Sequence, residues 1–327
     1  MLDTGRSATV WAVAFQADGL HVLGGSGDGI RRWRLPDGQE VGKQAGMDLN
    51  AISVSKDGKW VVCGTEEGAS VWDAKIQEKV ISDVEGGRSV SAVDVSPDSI
   101  RFATGTYDDA SLFIWSITTG ERLVGPLRHD ERVRTSGIRF SPNGEQIATS
   151  SYGGSVCIFD SRNGDRLIDV DIITRSSWPV TPLAWSNDGQ RIFIVSDDHK
   201  IKSFAESMGS QPLAESPILD NAYSISLAGN GKFTATVTEH AISFLDTSTL
   251  VKIGTAIEGK WSTAISLDSS RIATGREDGK IILHNLAKFL PDSYGPFHVS
   301  ICPFMRLACR SSTIPFPILT TTLDIYS

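Results

Sequence analysis

The chain has 327 residues, 31 Lys+Arg against 39 Asp+Glu for a formal net charge of -8, and 40% hydrophobic residues. This balance describes a folded chain with a sizeable core and excludes a low-hydrophobicity disordered sequence. A pI near 5.3 argues against nucleic acid as a partner, because phosphate binding needs a clustered basic surface. No secretory leader and no apolar run of about 18 residues is visible, so no membrane partner and a cytoplasmic or nuclear residence are expected.

Near residue 10 a motif begins that returns along the chain. Val13 and Phe15 stand two apart around a small residue, the turn Ala17-Asp18-Gly19 follows, and a second apolar run ends in Gly24-Gly25. Trp33 then marks a third run, which leads into the hairpin Asp37-Gly38. Period-two alternation is the mark of a pleated strand, and Asp, Asn and Gly reverse the chain between strands. Four strands per unit are predicted.

The apolar pair recurs at Ile52/Val54, Val93/Val95, Ile138/Phe140, Leu183/Trp185, Ile225/Leu227 and Ile265/Leu267, so that all fourteen positions are apolar. Its turn ends at Gly19, Gly58, Ser99, Gly144, Gly189, Gly231 and Ser270, at intervals of 39, 41, 45, 45, 42 and 39 residues. The third-strand marker falls at Trp33, Trp72, Trp115, Phe159, Phe204, Leu245 and His284, at intervals of 39, 43, 44, 45, 41 and 39. Two markers keeping one period of about 40 to 45 residues imply an all-β fold, a seven-bladed β-propeller of four-stranded antiparallel blades. Cys63 and Cys157 fall inside predicted strands and Cys302 and Cys309 in the tail, none with CxxC spacing, which reads as free thiols. Arg31, Arg32 and Arg34 around Trp33 are expected to lay their stems along a blade edge.

The segments VDVSPDSIRFATGTYDDASLFIWS (93–116) and IRFSPNGEQIATSSYGGSVCIFD (138–160) resemble the WD-repeat β-propellers, and the resemblance extends over residues 8 to 290. The naming dipeptide survives as Trp72-Asp73 and loosely as Phe159-Asp160, and His129 alone stands near the place of the family's Gly-His. The resemblance therefore implies the fold but an incomplete Asp, His, Ser/Thr and Trp hydrogen-bond network. Degenerate arrays of this kind are similar to those of filamentous fungi, some attached to nucleotide-binding receptor proteins.

Residues 1–291 are assigned to the propeller and 292–327 to an atypical tail. Ser293 to Met305 contains no Asp, Glu, Lys or Arg, and Pro296, Pro303, Pro315 and Pro317 interrupt it. The last blade needs a closing strand to cover its open edge. Residues 1–8 are preferred for it over Phe297 to Ile301, and Arg306 to Ser327 is expected to be poorly ordered.

No phosphate loop, nucleophile elbow, HExxH or paired CxxC occurs, so neither catalysis nor a cofactor or metal is expected. His21, His199, His240 and His284 are spread over different units and read as structural. What remains is charge. Turns joining second to third strands read Asp28, Glu66-Glu67, Asp108-Asp109, Asp197-Asp198, Glu239 and Glu277-Asp278. One acid per turn is ordinary backbone capping; the second is not explained that way. The fourth unit instead has Tyr152-Gly153-Gly154, entered by a loop with Arg128, Arg132 and Arg134.

Trp11, Tyr107, Tyr152, Trp178, Tyr223 and Trp261 stand at turns or strand entrances, and exposed aromatics beside charge suit interface anchors. The expected activity is thus a non-catalytic scaffold binding a protein or peptide, basic or of mixed charge. Its face comprises Trp11, Glu66, Tyr107, Asp109, Arg132, Arg134, Tyr152, Trp178, Asp197, Tyr223, Trp261 and Glu277. The alternatives are an enzyme or small-ligand sensor using the central channel, or a regulatory module related to nucleotide-binding receptors.

Overall fold

The computed structural model describes residues 2–3, 9–45, 48–75, 78–84, 88–129, 134–170, 172–174, 182–205, 211–258 and 262–295. They form seven four-stranded antiparallel sheets, the blades of a propeller. Blade 1 runs through Val10–Phe15, His21–Ser26, Gly29–Arg34 and Glu40–Ala45, each strand paired with the next. Blades 2 to 6 repeat that order from Leu49, Val90, Thr135, Leu183 and Ser224. In blade 7 the strands Thr263–Ile265, Arg271–Gly275 and Lys280–Asn285 are joined by Leu2–Asp3, with Leu2 opposite Ile281 and Asp3 opposite Lys280. The N-terminal residues thus close the ring; Phe297 to Ile301 lies outside the described residues.

The packing gives the sequence pattern its physical meaning. Seven buried apolar clusters fall one at each contact between successive blades. Between blades 3 and 4, for example, Ala103, Leu112 and Ile114 meet Ile138, Phe140, Ile147 and Phe159. Leu2, Ala273 and Ile281 meet Val10, Val22 and Trp33 where blade 7 returns to blade 1. The apolar pair and the third-strand marker of a blade therefore pack backwards onto the preceding blade. All seven markers occupy one register position, opposite Val22, Val61, Phe102, Ile147, Ile192, Thr234 and Ile272.

Small residues end the second strand because the next blade crosses there. A Cβ on Gly105 would come within 2.5 Å of Thr135 in blade 4, and one on Gly275 within 2.7 Å of the Val10 carbonyl in blade 1. The turn after the first strand has positive φ at Gly19, Gly58, Ser99, Gly144, Gly189, Gly231 and Ser269.

Blade 7 corrects the expected register. Ser269, with φ 58, takes the left-handed place rather than Ser270, and the inward pair is Thr263 and Ile265 rather than Ile265 and Leu267. Leu267 lies in the turn, 61% exposed. Apolar alternation continues one step beyond the strand there, so the pattern alone slips by two residues, which preserves the face but not the position.

Met1–Gly295 forms one compact unit. Beyond Pro291 the chain makes a short 3-10 helix, Asp292–Tyr294, fixed to blade 6. The Tyr294 hydroxyl donates to Asp246 at 2.8 Å, and Lys232 Nζ donates to the Ser293 carbonyl at 2.9 Å. The segment assigned to the tail thus begins with residues docked on the ring. Arg306 to Ser327, expected to be poorly ordered, lies outside the described residues.

Candidate functional site

Two regions could meet a ligand: the central channel and the face formed by turns joining second to third strands. The channel is an open cavity of about 470 Å³ lined by the first strands of all seven blades. Its wall is apolar at Phe15, Val54, Phe140 and Trp185, with Asp94 and Arg139 among its few charges. These two face each other at 3.6 Å, and Asp94 also accepts the Phe140 N–H at 2.8 Å and the Ser53 hydroxyl at 3.4 Å. Burial pushes the Asp94 carboxyl above the ordinary range, opposed by the Arg139 charge and these hydrogen bonds. The charges bind one blade to its neighbours rather than standing ready for a ligand.

On the loop face, antiparallel order puts the second-to-third-strand turn and the connection to the next blade at the same sheet end. In three of the turns that hold two acids, the second acid serves the turn. Asp109 accepts the Thr106 hydroxyl at 2.6 Å and the Ser111 N–H at 3.3 Å. Asp198 accepts the Lys200 N–H at 3.3 Å and Asp278 the Lys280 N–H at 3.2 Å. Burial works against ionisation of Asp109, but the hydrogen bonds from Thr106 and Ser111 and the Arg88 charge outweigh it and hold its carboxyl below the usual range. The first acids, Asp108, Asp197 and Glu277, are exposed, as are Glu66 and Glu67. None of these five makes an ion pair among the described residues.

The expected residues separate into three groups. Tyr107, Asp109, Arg134 and Tyr152 come together between blades 3 and 4: Arg134 lies over both tyrosine rings, and Asp109 meets Arg88 at 3.2 Å and Arg128 at 3.6 Å. Glu66, Asp197 and Glu277 are exposed on turns of blades 2, 5 and 7. Trp11 lies half-buried in the first strand of blade 1, and Tyr223 packs against the blade 6 cluster. Arg132, Trp178 and Trp261 lie outside the described residues.

Arg88 was not among the expected residues. It stands in the connection before blade 3, 21 residues from the carboxylate it meets, a distance in sequence that no local pattern reports.

Other polar residues singled out in the sequence have structural partners. Arg31 meets Glu40 at 3.0 Å, Arg32 donates to the Ala74 carbonyl at 3.0 Å, and Arg34 pairs with Asp37. His129 is hydrogen-bonded to Thr149 and lies 3.2 Å from the Cys157 thiol. Trp115 Nε1 donates to Thr104 at 2.9 Å, and His284 approaches Thr274 at 3.4 Å. Thr104, Thr149 and Thr274 occupy equivalent places, so fragments of one network survive in blades 3, 4 and 7.

The family described as WD domain, G-beta repeat matches residues 79–116 and 123–160. Two segments of the chain thus carry WD repeats, and its seven-bladed propeller resembles those of that family. It is 26% identical over 171 residues to a guanine nucleotide-binding protein subunit beta of Arabidopsis thaliana, covering 50% of this chain and 45% of that protein. Similarity also extends to the Protein LST8 homolog of Drosophila melanogaster, 25% identical over 34% of this chain and 37% of that one. A Ribosome biogenesis protein WDR12 homolog of Drosophila yakuba is 27% identical over 54% of this chain and 41% of that one. The matched part of the propeller thus spans less than half of each relative.

Among solved structures, the Cps50 (Swd1) beta-propeller domain of Myceliophteria thermophila superposes with a TM-score of 0.71 at 15% identity, covering 86% of this chain and 98% of that one. This likeness concerns the fold. No helix among the described residues of the propeller is long and apolar enough to cross a membrane. Nor do three or more His, Cys, Asp or Glu side chains gather among them as a metal would require.

Proposed function

We propose that this WD-repeat propeller is a non-catalytic, intracellular interaction scaffold whose loop face holds a basic or mixed-charge peptide segment of a protein partner. The observation that carries this reading is the pairing of acids in its turns. One carboxylate caps the backbone and the one before it is left in solvent, in blades 3, 5 and 7, with Glu66 and Glu67 adding to them in blade 2. Exposed like charges repel one another and contribute nothing to the fold, whereas they steer and orient an oppositely charged partner. Rigid blades joined by seven apolar contacts supply a platform that needs no ordering when a partner arrives.

The charge-reversal variant Glu66→Lys/Asp197→Lys/Glu277→Lys tests this, Asp109 being left intact because it caps its turn. Proteins recovered on the immobilised chain at low and high salt are identified by mass spectrometry. Partners captured at low salt should be lost at high salt and lost from the variant, with its thermal unfolding unchanged. Equal capture by both chains would sink the proposal.

A further inference from the structure

The acidic face has one basic interruption, where geometry adds to charge. The Arg134 guanidinium carbon lies 4.4 Å from the Tyr152 ring centre and 5.1 Å from that of Tyr107. The two rings come from equivalent turns of blades 4 and 3. The Tyr152 N–H donates to the Arg134 carbonyl at 3.0 Å, the Tyr107 N–H donates to the Ser89 carbonyl at 2.8 Å, and Arg134 Nη1 donates to the Tyr107 phenol at 3.2 Å. Yet the rings are open to solvent, 42% exposed for Tyr107 and 45% for Tyr152.

With its guanidinium carbon close to two rings and Nη1 engaged, Arg134 has Nε and Nη2 left to donate, both in the guanidinium plane. Neither finds an acceptor among the described residues. Asp109, on the turn that carries Tyr107, is committed to Thr106, Ser111, Arg88 and Arg128, and no ion pair joins it to Arg134 among the described residues. In-plane donors of a guanidinium match the two oxygens of a carboxylate, and the contacts with both rings restrict the side chain before anything binds. Ile173, exposed beside Thr174, whose carbonyl accepts the Gly153 N–H at 3.1 Å, offers an apolar contact next to Tyr152.

We propose that Arg134, set against Tyr107 and Tyr152, receives a side-chain carboxylate of the docked peptide. This rests on the loop face being a peptide platform and adds a sequence rule to it: an Asp or Glu in the partner at a fixed distance from its Lys or Arg. The acidic turns attract the cations, and the arginine sets the register.

A display library of random-sequence peptides, selected at low salt on the immobilised chain, tests both levels. The expected peptides combine Lys or Arg with one Asp or Glu at constant spacing. Changing that acid to its amide weakens binding about tenfold, as does Arg134→Lys, which keeps the charge but loses the planar fork. In the double-mutant cycle, the amide change costs nothing further once Arg134 is Lys. Tyr152→Leu reproduces the loss with thermal unfolding unchanged. Selected peptides without an acid, or an amide penalty of the same size in both proteins, overturn the arginine site while leaving the platform standing. Phosphoserine bound more than tenfold better than glutamate also overturns the carboxylate assignment. A library yielding no binder overturns both readings.

Discussion

The hydroxyl of Ser96 accepts the Arg101 N–H at 3.0 Å while donating to Asp98, and so ties the first turn of blade 3 across its base. Ser55, Ser141, Ser186 and Ser266 do the same in blades 2, 4, 5 and 7. Ser96→Ala leaves that half-buried N–H without an acceptor, and a loss of about 1 kcal/mol is expected from urea unfolding. A change within error would show that water replaces the hydroxyl. Where serine takes the left-handed position, its side chain reaches the neighbouring blade: Ser99 Oγ accepts the Asp57 N–H at 3.4 Å and Ser269 Oγ the Asn230 N–H at 3.0 Å. Glycine would hold the same φ more easily but could not make that bond. Burial pushes the Cys157 thiol up to about 11, which fits a packing residue rather than a nucleophile.

Among the elements, the first strands of blades 3 and 4 are joined through Asp94 and Arg139. The Asp94 carboxyl titrates above its ordinary value of 3.8 in the folded chain, so the native state binds its proton more tightly than the unfolded one. Its contribution is then largest in acid and falls as pH rises through the folded-state pKa. Asp94→Asn, which keeps an acceptor for the Phe140 N–H, removes that dependence. Its stability relative to the parent chain should improve as pH is raised from about 4 toward neutrality, read as urea midpoints. A gap that stays constant with pH, or moves the opposite way, would disprove a buried, proton-favouring Asp94. Where the short helix Asp292–Tyr294 meets blade 6, a carboxylate behaves differently. Asp246 is drawn below the usual range although burial opposes it, because Ser248, Tyr294 and Thr249 all donate to it.

At the scale of the molecule, ring closure depends on a two-residue strand. Leu2 is buried among Val10, Val13, Trp33 and Ile281, so it links the last blade to the first as well as pairing with the sheet. Leu2→Ala should lower stability by about 2 to 5 kcal/mol in thermal unfolding, the range for truncating a buried leucine. A loss below about 1 kcal/mol would mean the other contacts of that cluster close the ring without it. The seven blade contacts are otherwise alike in kind, each an apolar cluster shared by neighbours, which makes the propeller a rigid frame for its loops.

Blade number, strand order and the residues facing the preceding blade were legible in the sequence because burial imposes a two-residue alternation, and closure repeats it at one period. In blade 7 that signal misplaced Leu267, since hydrophobicity reports a face and not where a strand ends. The acidic turns were legible too, as composition. Which acid of each pair serves the backbone was decided by turn geometry, which sets the capping acid apart from its exposed neighbour. The meeting of Arg88, Tyr107, Asp109, Arg134 and Tyr152 required the tertiary structure. Pairing of the first two strands of blade 3 brings Arg88 to Asp109, and packing of blade 4 against blade 3 brings Arg134 and Tyr152 to Tyr107.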